Sequence, residues 1–277
     1  MQYGFVLPYG DARTAADFAQ AAEAAGWDGF FVWEPVWGWD AWVMLTAAAM
    51  CTERVRLGTM ITPLSRMRPW ELASKTVTLD HLSNGRVILA VGLGAIDTGF
   101  AEFGEVTDRK TRAELLDEGL DILNGLWHGQ PFNYDGKHYH IRETKFYPLP
   151  PPVQQPRIPI WVVGAWPKTK SMQRVLRCDG LLPTRMDEQG QHVGFTADHV
   201  REMKAYIDAR RSMTTPFEIV VEGRTPGADP DQAAGITRMW ADGGATWWIE
   251  ALWGEPDQPA DLDAVLQRIR QGPPRFE

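Results

Sequence analysis

The sequence predicts a (β/α)8 barrel, a fold in which eight parallel strands alternate with eight helices. Two observations lead to this prediction: strand-like runs alternate strictly with helical segments, and 277 residues are an ordinary length for eight such units. An open, doubly wound sheet shows the same alternation and is the structural alternative. We expect a single domain over residues 1–277, with one β-hairpin insertion at residues 131–147, after the fourth helix.

The first half of the chain supplies four strand–helix units. Its strands are rich in β-branched and aromatic residues, and its helices carry apolar residues at helical spacing. The predicted strands are Gln2–Leu7, Phe30–Trp33, Val55–Ile61 and Val87–Val91. The predicted helices are Arg13–Ala25, a helix that Asp40 caps and that runs to Met50, a helix from Pro69 to the turn Ser83-Asn84-Gly85, and Thr111–Trp127.

The clearest of these units spans residues 55–94. Pro69 suits the first helical position, where an N–H group is not needed, and Asn84 and Gly85 tolerate the left-handed conformation that ends many helices. Val87–Val91 is an apolar run, as expected of a strand that helices cover on both faces. The loops after residues 61 and 91 therefore follow the carboxyl ends of two parallel strands.

The second half begins with the hairpin, in which residues alternate in strand fashion about the turn dipeptide Asp135-Gly136. A proline-rich connection then leads to four more units. The predicted strands are Ile158–Val163, Gly180–Pro183, Phe217–Glu222 and Thr246–Ala251. The predicted helices are Lys168–Arg177, Phe195–Arg211, Pro230–Ala241 and Asp261–Arg270.

Composition and charge argue against several classes of partner. Lys and Arg total 28 and Asp and Glu total 36, and the basic residues are scattered, so we expect neither nucleic acid nor a membrane surface as a partner. The sequence shows no signal-peptide pattern at its start and no apolar run long enough to span a membrane. Cys51 and Cys178 lie outside any redox or metal motif, which favours a cytoplasmic protein.

In a barrel of this kind, chemistry takes place in the loops that follow the strands. These loops are rich in tryptophan and glycine, and they contain no Ser-His-Asp set and no cluster of metal ligands. His138 and His140 are two residues apart on a predicted strand and would point the same way, but a metal pair there lacks a third ligand. Aromatic walls without acid–base groups suit a large planar cofactor that brings its own reactivity.

Two loops have features of a phosphate site. Residues 164–169 (Gly-Ala-Trp-Pro-Lys-Thr) and 223–227 (Gly-Arg-Thr-Pro-Gly) each lead from a strand into a helix, whose first N–H groups and dipole attract anions. Ordinary Gly- and Pro-containing loops have the same composition, so this alternative stays open. After the fourth strand, Gly92-Leu93-Gly94 would let a ring approach the backbone closely.

The chain resembles a known family. Residues 56–94, RLGTMITPLSRMRPWELASKTVTLDHLSNGRVILAVGLG, are similar to the signature of the bacterial luciferase-like monooxygenases, which are flavin- or deazaflavin-dependent (β/α)8 oxidoreductases. Gly26-Trp27-Asp28, the helix at 112–127, the strand at 158–164 and Cys178-Asp179-Gly180 extend the resemblance over nearly the whole chain.

The resemblance implies where a cofactor would bind. In this family the third strand often ends in a non-prolyl cis peptide that contacts the ring, and residues 59–62 occupy that place. The implied cofactor-binding residues are Thr59, Met60, Ile61 and Thr62 at the third strand end, Gly92, Leu93 and Gly94 at the fourth, and Gly164, Ala165, Trp166 and Thr169 at the phosphate site.

The resemblance also implies a catalytic position and a substrate pocket. Glu34 stands where many deazaflavin-dependent members have an acidic residue, although Pro35 replaces the histidine that often follows it. Ala95 stands where the sugar-phosphate dehydrogenases of the family carry a catalytic glutamate. These two departures argue against that dehydrogenase chemistry. The residues expected to shape a substrate pocket are Trp33, Trp37, Trp39, Arg185 and Trp253.

The sequence thus predicts a luciferase-like flavin-dependent oxidoreductase or monooxygenase that transfers hydride or oxygen through reduced FMN to a small-molecule substrate, with NAD(P)H as a further reductant. Coenzyme F420 is the alternative cofactor. A flavin-binding barrel without turnover is an alternative of another class, and an unrelated barrel lyase would need a lysine at a strand end, for which Lys168 is the nearest candidate. The hairpin is a candidate dimer element, so a homodimer also stays open.

Overall fold

The computed structural model describes residues 1–144, 149–189, 191–254 and 258–276. Within these ranges, eight parallel strands each pair with the next, and the last pairs with the first. The closing pair aligns Gln2 with Trp247. The predicted (β/α)8 barrel is therefore confirmed, and closure rules out the open sheet. The strands are β1 Gln2–Leu7, β2 Gly29–Val32, β3 Arg56–Thr59, β4 Val87–Gly92, β5 Ile160–Trp166, β6 Gly180–Met186, β7 Glu218–Gly223 and β8 Trp247–Ala251.

Helices alternate with the strands, as expected. In the described part of the chain they are α1 Ala12–Ala24, α2 Ala41–Cys51, α3 Pro69–Leu82, α4 Arg109–His128, α5 Thr169–Val175, α6 Ala197–Asp208, α7 Pro230–Asp242 and α8 Leu262–Arg270. Two predicted helix starts are confirmed: the Asp40 carboxylate accepts hydrogen bonds from the Trp42 and Val43 N–H groups, and Pro69 is the first residue of α3. Among the helices of the described residues, none is long and apolar enough to cross a membrane.

Large aromatic side chains fill the barrel interior. Phe31, Trp161 and Trp247 are each at most 2% exposed, and the centroids of the two indole rings are 5.2 Å apart. Glycine on neighbouring strands makes room for them, because a Cβ atom on Gly4 or Gly29 would lie 2.7 Å from the Phe31 ring. The interior is thus closed at mid-height, which leaves the carboxyl ends of the strands as the open mouth.

The third strand is shorter than predicted. It ends at Thr59 rather than at Ile61, and the Met60–Ile61 peptide that follows is cis. The chain then continues as a two-residue strand, Thr62–Pro63, that pairs with β4. The non-prolyl cis peptide that the resemblance implies at this strand end is therefore present.

Two further elements differ from the predicted bounds. β6 extends to Met186, where the short segment His192–Val193 pairs with it in antiparallel fashion. α5 ends at Val175. Between α4 and β5, Phe132–Asp135 and His140–Thr144 form an antiparallel pair, and Glu118 of α4 accepts hydrogen bonds from the N–H groups of the turn. The last residues of the predicted hairpin, 145–147, lie outside the described residues.

Candidate functional site

The alternation of side chains along each strand determines which residues face the mouth. Ten residues form an apolar cluster inside the barrel, among them Phe31, Ala90, Leu182, Val220 and Ala251. A residue two positions further along faces the same way. The inward positions at the strand ends are therefore Trp33, Met60, Gly92, Ala165, Thr184, Glu222 and Trp253.

The floor of the mouth is apolar. Met60, Ile61 and Val163 pack on the interior cluster. A Cβ atom on Gly92 would lie 2.4 Å from Ile61 Cδ1 and 2.9 Å from Val163 Cγ2, so these two side chains meet over the glycine. The floor thus brings together four residues: Met60 and Ile61 from the third strand end, Gly92 from β4 and Val163 from β5. The first three belong to the predicted cofactor site.

The predicted residues Thr59, Thr62 and Glu34 form a chain of hydrogen bonds behind this floor. Thr62 Oγ1 lies 2.8 Å from Glu34 Oε2 and 2.9 Å from Thr59 Oγ1, and Thr59 Oγ1 lies 3.2 Å from the Ala90 carbonyl oxygen. Both threonines are completely buried. The hydroxyl of Thr62, which the resemblance implies as a cofactor-binding residue, therefore contacts Glu34.

Burial raises the pKa of Glu34 above its ordinary value. The hydrogen bond from Thr62 and the positive charges of Arg66 and Lys75 act in the opposite direction, and the negative charge of Asp40 adds to the increase. Desolvation is the largest of these effects, so their net result is an increase in the pKa.

The predicted tryptophans at the end of β2 line a cleft of about 560 Å³. Trp33, Trp37 and Trp39 form its walls, and Trp37 and Trp39 are 81% and 55% exposed. The other lining residues are Leu7, Tyr9, Gly10, Pro35, Gly38 and Met44. None of these nine side chains is an acid, a lysine or an arginine, so the cleft suits an uncharged apolar molecule.

Trp253 lies beside this cleft. Its ring meets that of Trp33 edge to face, with centroids 6.5 Å apart, and Trp33 Nε1 donates a hydrogen bond to the Pro8 carbonyl oxygen. The two indoles therefore form a continuous aromatic wall from the cleft to the end of β8.

The loop after β4 is fixed from outside the barrel. Arg112 of α4 donates hydrogen bonds from Nη1 to the carbonyl oxygens of Leu93 and Gly94, at 2.8 and 3.0 Å. Gly94 has φ +78°, and a Cβ atom there would lie 2.7 Å from the Phe100 ring. This position therefore requires glycine for its conformation as well as for space.

Successive residues of the predicted phosphate loop point to opposite faces of β5. A Cβ atom on Gly164 would lie 2.3 Å from Leu181 Cδ1 and 2.8 Å from Val175 Cγ2, so this glycine faces α5 and not the mouth. Trp166 also faces the helices and meets Tyr206 edge to face, with centroids 5.6 Å apart. Ala165 faces the mouth, but its N–H group donates to Ser171 Oγ. Thr169 is the first residue of α5.

In the second candidate phosphate loop, the polar groups of Thr225 already have partners. Its N–H group and hydroxyl each lie 2.7 Å from a carboxylate oxygen of the buried Glu250, and Arg268 Nη2 contacts the same hydroxyl. This loop is therefore held toward α8 by a structural network.

Two other charged residues named from the sequence lie away from the cleft. Arg185 Nη1 lies 3.5 Å from the Gly194 carbonyl oxygen. Lys168 directs Nζ to the Asp187 carbonyl oxygen, at 3.2 Å. Neither residue lines the aromatic cleft.

The two hairpin histidines do not share a face of a strand, because only His140 belongs to one. His138 Nε2 contacts Glu114 at 2.9 Å, and His140 Nδ1 contacts Asp135 at 2.6 Å. Among the described residues, no group of three or more His, Cys, Asp and Glu side chains is placed to hold a metal ion.

Sequence reasoning did not select Glu222, which is the inward residue at the end of β7. Trp253 Nε1 donates a 2.6 Å hydrogen bond to Glu222 Oε1. The side chain is exposed, but nearby protein atoms partly desolvate the carboxyl group and raise its pKa, while the bond from Trp253 lowers it. The spacing of two residues from Val220 gives the direction of Glu222, but only the structure shows that Val220 faces the barrel interior.

Comparison with protein families gives one match that covers most of the chain. The model of the luciferase-like monooxygenases matches residues 2–261. A curated relative, the F420-dependent glucose-6-phosphate dehydrogenase of Amycolatopsis mediterranei, is 32% identical over 165 residues, which are 56% of this chain and 48% of that enzyme.

Two solved structures share the fold. The coenzyme F420-dependent tetrahydromethanopterin reductase of Methanopyrus kandleri superimposes with a TM-score of 0.75 at 16% identity, over 98% of each chain. The oxygenating constituent of 3,6-diketocamphane monooxygenase from Pseudomonas putida, solved with FMN, gives a TM-score of 0.65 at 19% identity, over 86% of this chain and 71% of that one.

Proposed function

Because the chain belongs to the luciferase-like monooxygenase family, we propose that it is an oxidoreductase that binds coenzyme F420 in the barrel mouth and reduces or oxidises an uncharged organic substrate. The observation that carries this proposal is the apolar floor of Met60, Ile61 and Val163 beside the aromatic wall of Trp33 and Trp253. Flat apolar surfaces of this kind fit a planar ring system.

Two observations favour F420 as the cofactor. A relative that is 32% identical is named as an F420-dependent dehydrogenase. In addition, Glu34 keeps the acidic residue that the resemblance associates with deazaflavin-dependent members, and it lies directly behind the third strand end.

The cofactor, when bound, supplies a hydride acceptor or donor. The residues of this chain would supply binding and orientation. Ile61 and Val163 would support one side of the ring, and Arg112 would keep the loop at 93–94 in place through its two hydrogen bonds. The tryptophan walls would exclude water from the space where the substrate meets the ring.

The cleft points to the class of substrate. Its walls carry aromatic surface and its lining residues include no cation that could pair with a phosphate or carboxylate. We therefore propose an uncharged, largely apolar substrate, in contrast to the phosphorylated sugar named for the Amycolatopsis relative.

FMN is the second candidate cofactor. It is favoured by Pro35 and Ala95, which replace residues that the resemblance associates with deazaflavin-dependent dehydrogenases. The FMN-containing structure from Pseudomonas putida shares the barrel fold.

The test is a titration of the purified protein with F420, FMN and FAD, followed by absorbance and fluorescence. We expect micromolar binding of F420 with a perturbed ring spectrum. Binding of FMN alone would select the second candidate, and failure of all three to bind would overturn the proposal. Oxidation of the reduced cofactor by a substrate, or reduction of the oxidised cofactor by NADPH, would then separate an enzyme from a barrel that only binds the cofactor.

A further inference from the structure

Glu222 combines three features that no other carboxyl group of the described mouth shares. It faces inward at the end of β7, on the same side as Val220. It forms no ion pair among the described residues, and its carboxyl is held by a hydrogen bond from Trp253. Its partner Trp253 contacts Trp33, which lines the aromatic cleft.

The charged groups near Glu222 are directed elsewhere. On β8, Glu250 faces the helix layer, where it accepts hydrogen bonds from Thr225 and contacts Arg268. Arg224 lines a separate cavity on the α8 side of the barrel. On β6, Arg185 contacts the Gly194 carbonyl oxygen.

One other titratable group lies near the same rim. The His192 ring contacts the inward residue Thr184 of β6, with Nδ1 2.8 Å from Oγ1. His192 is exposed, and it forms no direct contact with the Glu222 carboxyl among the described residues.

We propose that Glu222 is the residue that exchanges a proton with the substrate. This inference rests on the proposed function, because a hydride transfer to an uncharged substrate requires a proton as well.

For a carbonyl substrate the step balances as follows. A hydride from the reduced cofactor forms a C–H bond at the carbonyl carbon, and the C=O π bond breaks. The Glu222 O–H bond breaks and its proton forms the new O–H bond of the alcohol. The substrate gains two electrons, the cofactor loses two, and the Glu222 carboxylate regains a proton from water. The reverse reaction uses the carboxylate as the base.

The first test uses the protein without any cofactor. In ¹H–¹⁵N spectra, the indole N–H signal of Trp253, assigned with Trp253→Phe, reports on the carboxyl group that it contacts. We expect this signal to titrate with an inflection above the ordinary carboxyl pKa of 4.5. The inflection should be absent in Glu222→Gln and present in Glu222→Asp. Glu218→Gln, the same substitution at the opposite end of β7, should leave it unchanged.

The second test uses acetophenone, a neutral aryl ketone, as the probe. Its carbonyl oxygen can accept a hydrogen bond only from the acid form of Glu222, so we expect its affinity to fall about fivefold as the pH rises through the inflection. Glu222→Gln should bind acetophenone independently of pH over that range. An inflection that survives in Glu222→Gln, or an acetophenone affinity that is constant with pH in the parent protein, would overturn the inference. Neither test needs the cofactor, so a failure to bind F420 or FMN is a separate result.

Discussion

The Thr62 hydroxyl oxygen lies 2.8 Å from a carboxyl oxygen of Glu34. Thr62 has a single hydroxyl proton, which it can donate either to Glu34 or to Thr59 Oγ1, 2.9 Å away. The Ala90 carbonyl can only accept a hydrogen bond, here from the Thr59 hydroxyl. All three contacts are hydrogen bonds at once only when Glu34 carries a proton and donates it to Thr62; when Glu34 is ionised, Thr62 donates to Glu34 and one of the other two bonds is lost. The geometry and the raised pKa of Glu34 therefore agree in direction.

This agreement predicts a pH dependence of stability. Because the folded-state pKa of Glu34 is raised above 4.5, the folded chain holds this proton more tightly than the unfolded chain. The stabilisation is complete below pH 4.5 and is lost as the pH rises through the folded-state pKa. The free energy of unfolding of Glu34→Gln should therefore decrease less than that of the parent as the pH rises through this pKa. Urea unfolding from pH 4 to pH 8 measures this decrease in both proteins.

A matched control is Glu71→Gln, which changes an exposed carboxylate in the first turn of α3. It should leave the pH dependence of the parent protein intact. Thr59→Val should lower the pKa of Glu34, because ionisation of Glu34 in this variant no longer costs the hydrogen bond from Thr59 to the Ala90 carbonyl oxygen. An identical pH dependence in Glu34→Gln and in the parent would show that folding does not raise the pKa of Glu34.

The order of strands and helices was predictable because it follows from local patterns. Caps and breaks such as Asp40 and Pro69 act on adjacent residues, so the sequence locates them without knowledge of the rest of the fold. The closure of the sheet follows from the number of alternating units, since eight of them match the size of a barrel.

The direction of side chains at the strand ends was not predictable in the same way. A barrel strand is buried on both faces, so its hydrophobicity does not alternate and does not show which face lies inside. For this reason the sequence did not show that a Cβ atom on Gly164 and the Trp166 side chain face α5 and α6. It passed over Glu222, which faces the mouth.

Two glycine substitutions test this assignment of faces. Gly92→Ala would push Ile61 and Val163 apart at the floor of the mouth, so we expect weaker cofactor binding together with a loss of stability from overpacking. Gly164→Ala would crowd Leu181 and Val175 under α5, and overpacking of this kind costs about 1–3 kcal/mol. We therefore expect it to lower the free energy of unfolding. Chemical denaturation and cofactor titration of both variants measure the two effects. Weaker cofactor binding in Gly164→Ala with unchanged binding in Gly92→Ala would assign Gly164, and not Gly92, to the cofactor site.

The aromatic cleft predicts which tryptophans bind substrate. Trp37→Ala and Trp39→Ala should each weaken binding of a neutral aromatic probe such as acetophenone by about tenfold, since each removes apolar contact area worth about 1.5 kcal/mol. Trp70→Ala is the control, because Trp70 is a tryptophan, 40% exposed, that packs on Tyr139 outside the cleft. Quenching of intrinsic fluorescence provides the affinities. Equal losses in all three variants would indicate a general effect on the protein and not a binding cleft.

Glu222 predicts the pH profile of turnover. As a proton donor it acts in the acid form, so the rate of ketone reduction should fall as the pH rises through its raised pKa, and the rate of alcohol oxidation should rise. General acid catalysis contributes about 10²–10⁴-fold, so Glu222→Gln should lose that factor in kcat while it still binds cofactor. Trp253→Phe removes the hydrogen bond that favours the carboxylate, so it should move the limb of the profile to higher pH.

His192→Gln tests the other titratable group at the rim. A limb that disappears with His192→Gln and persists in Glu222→Gln would assign the proton to the histidine, because the limb reports the titration of the group that exchanges the proton.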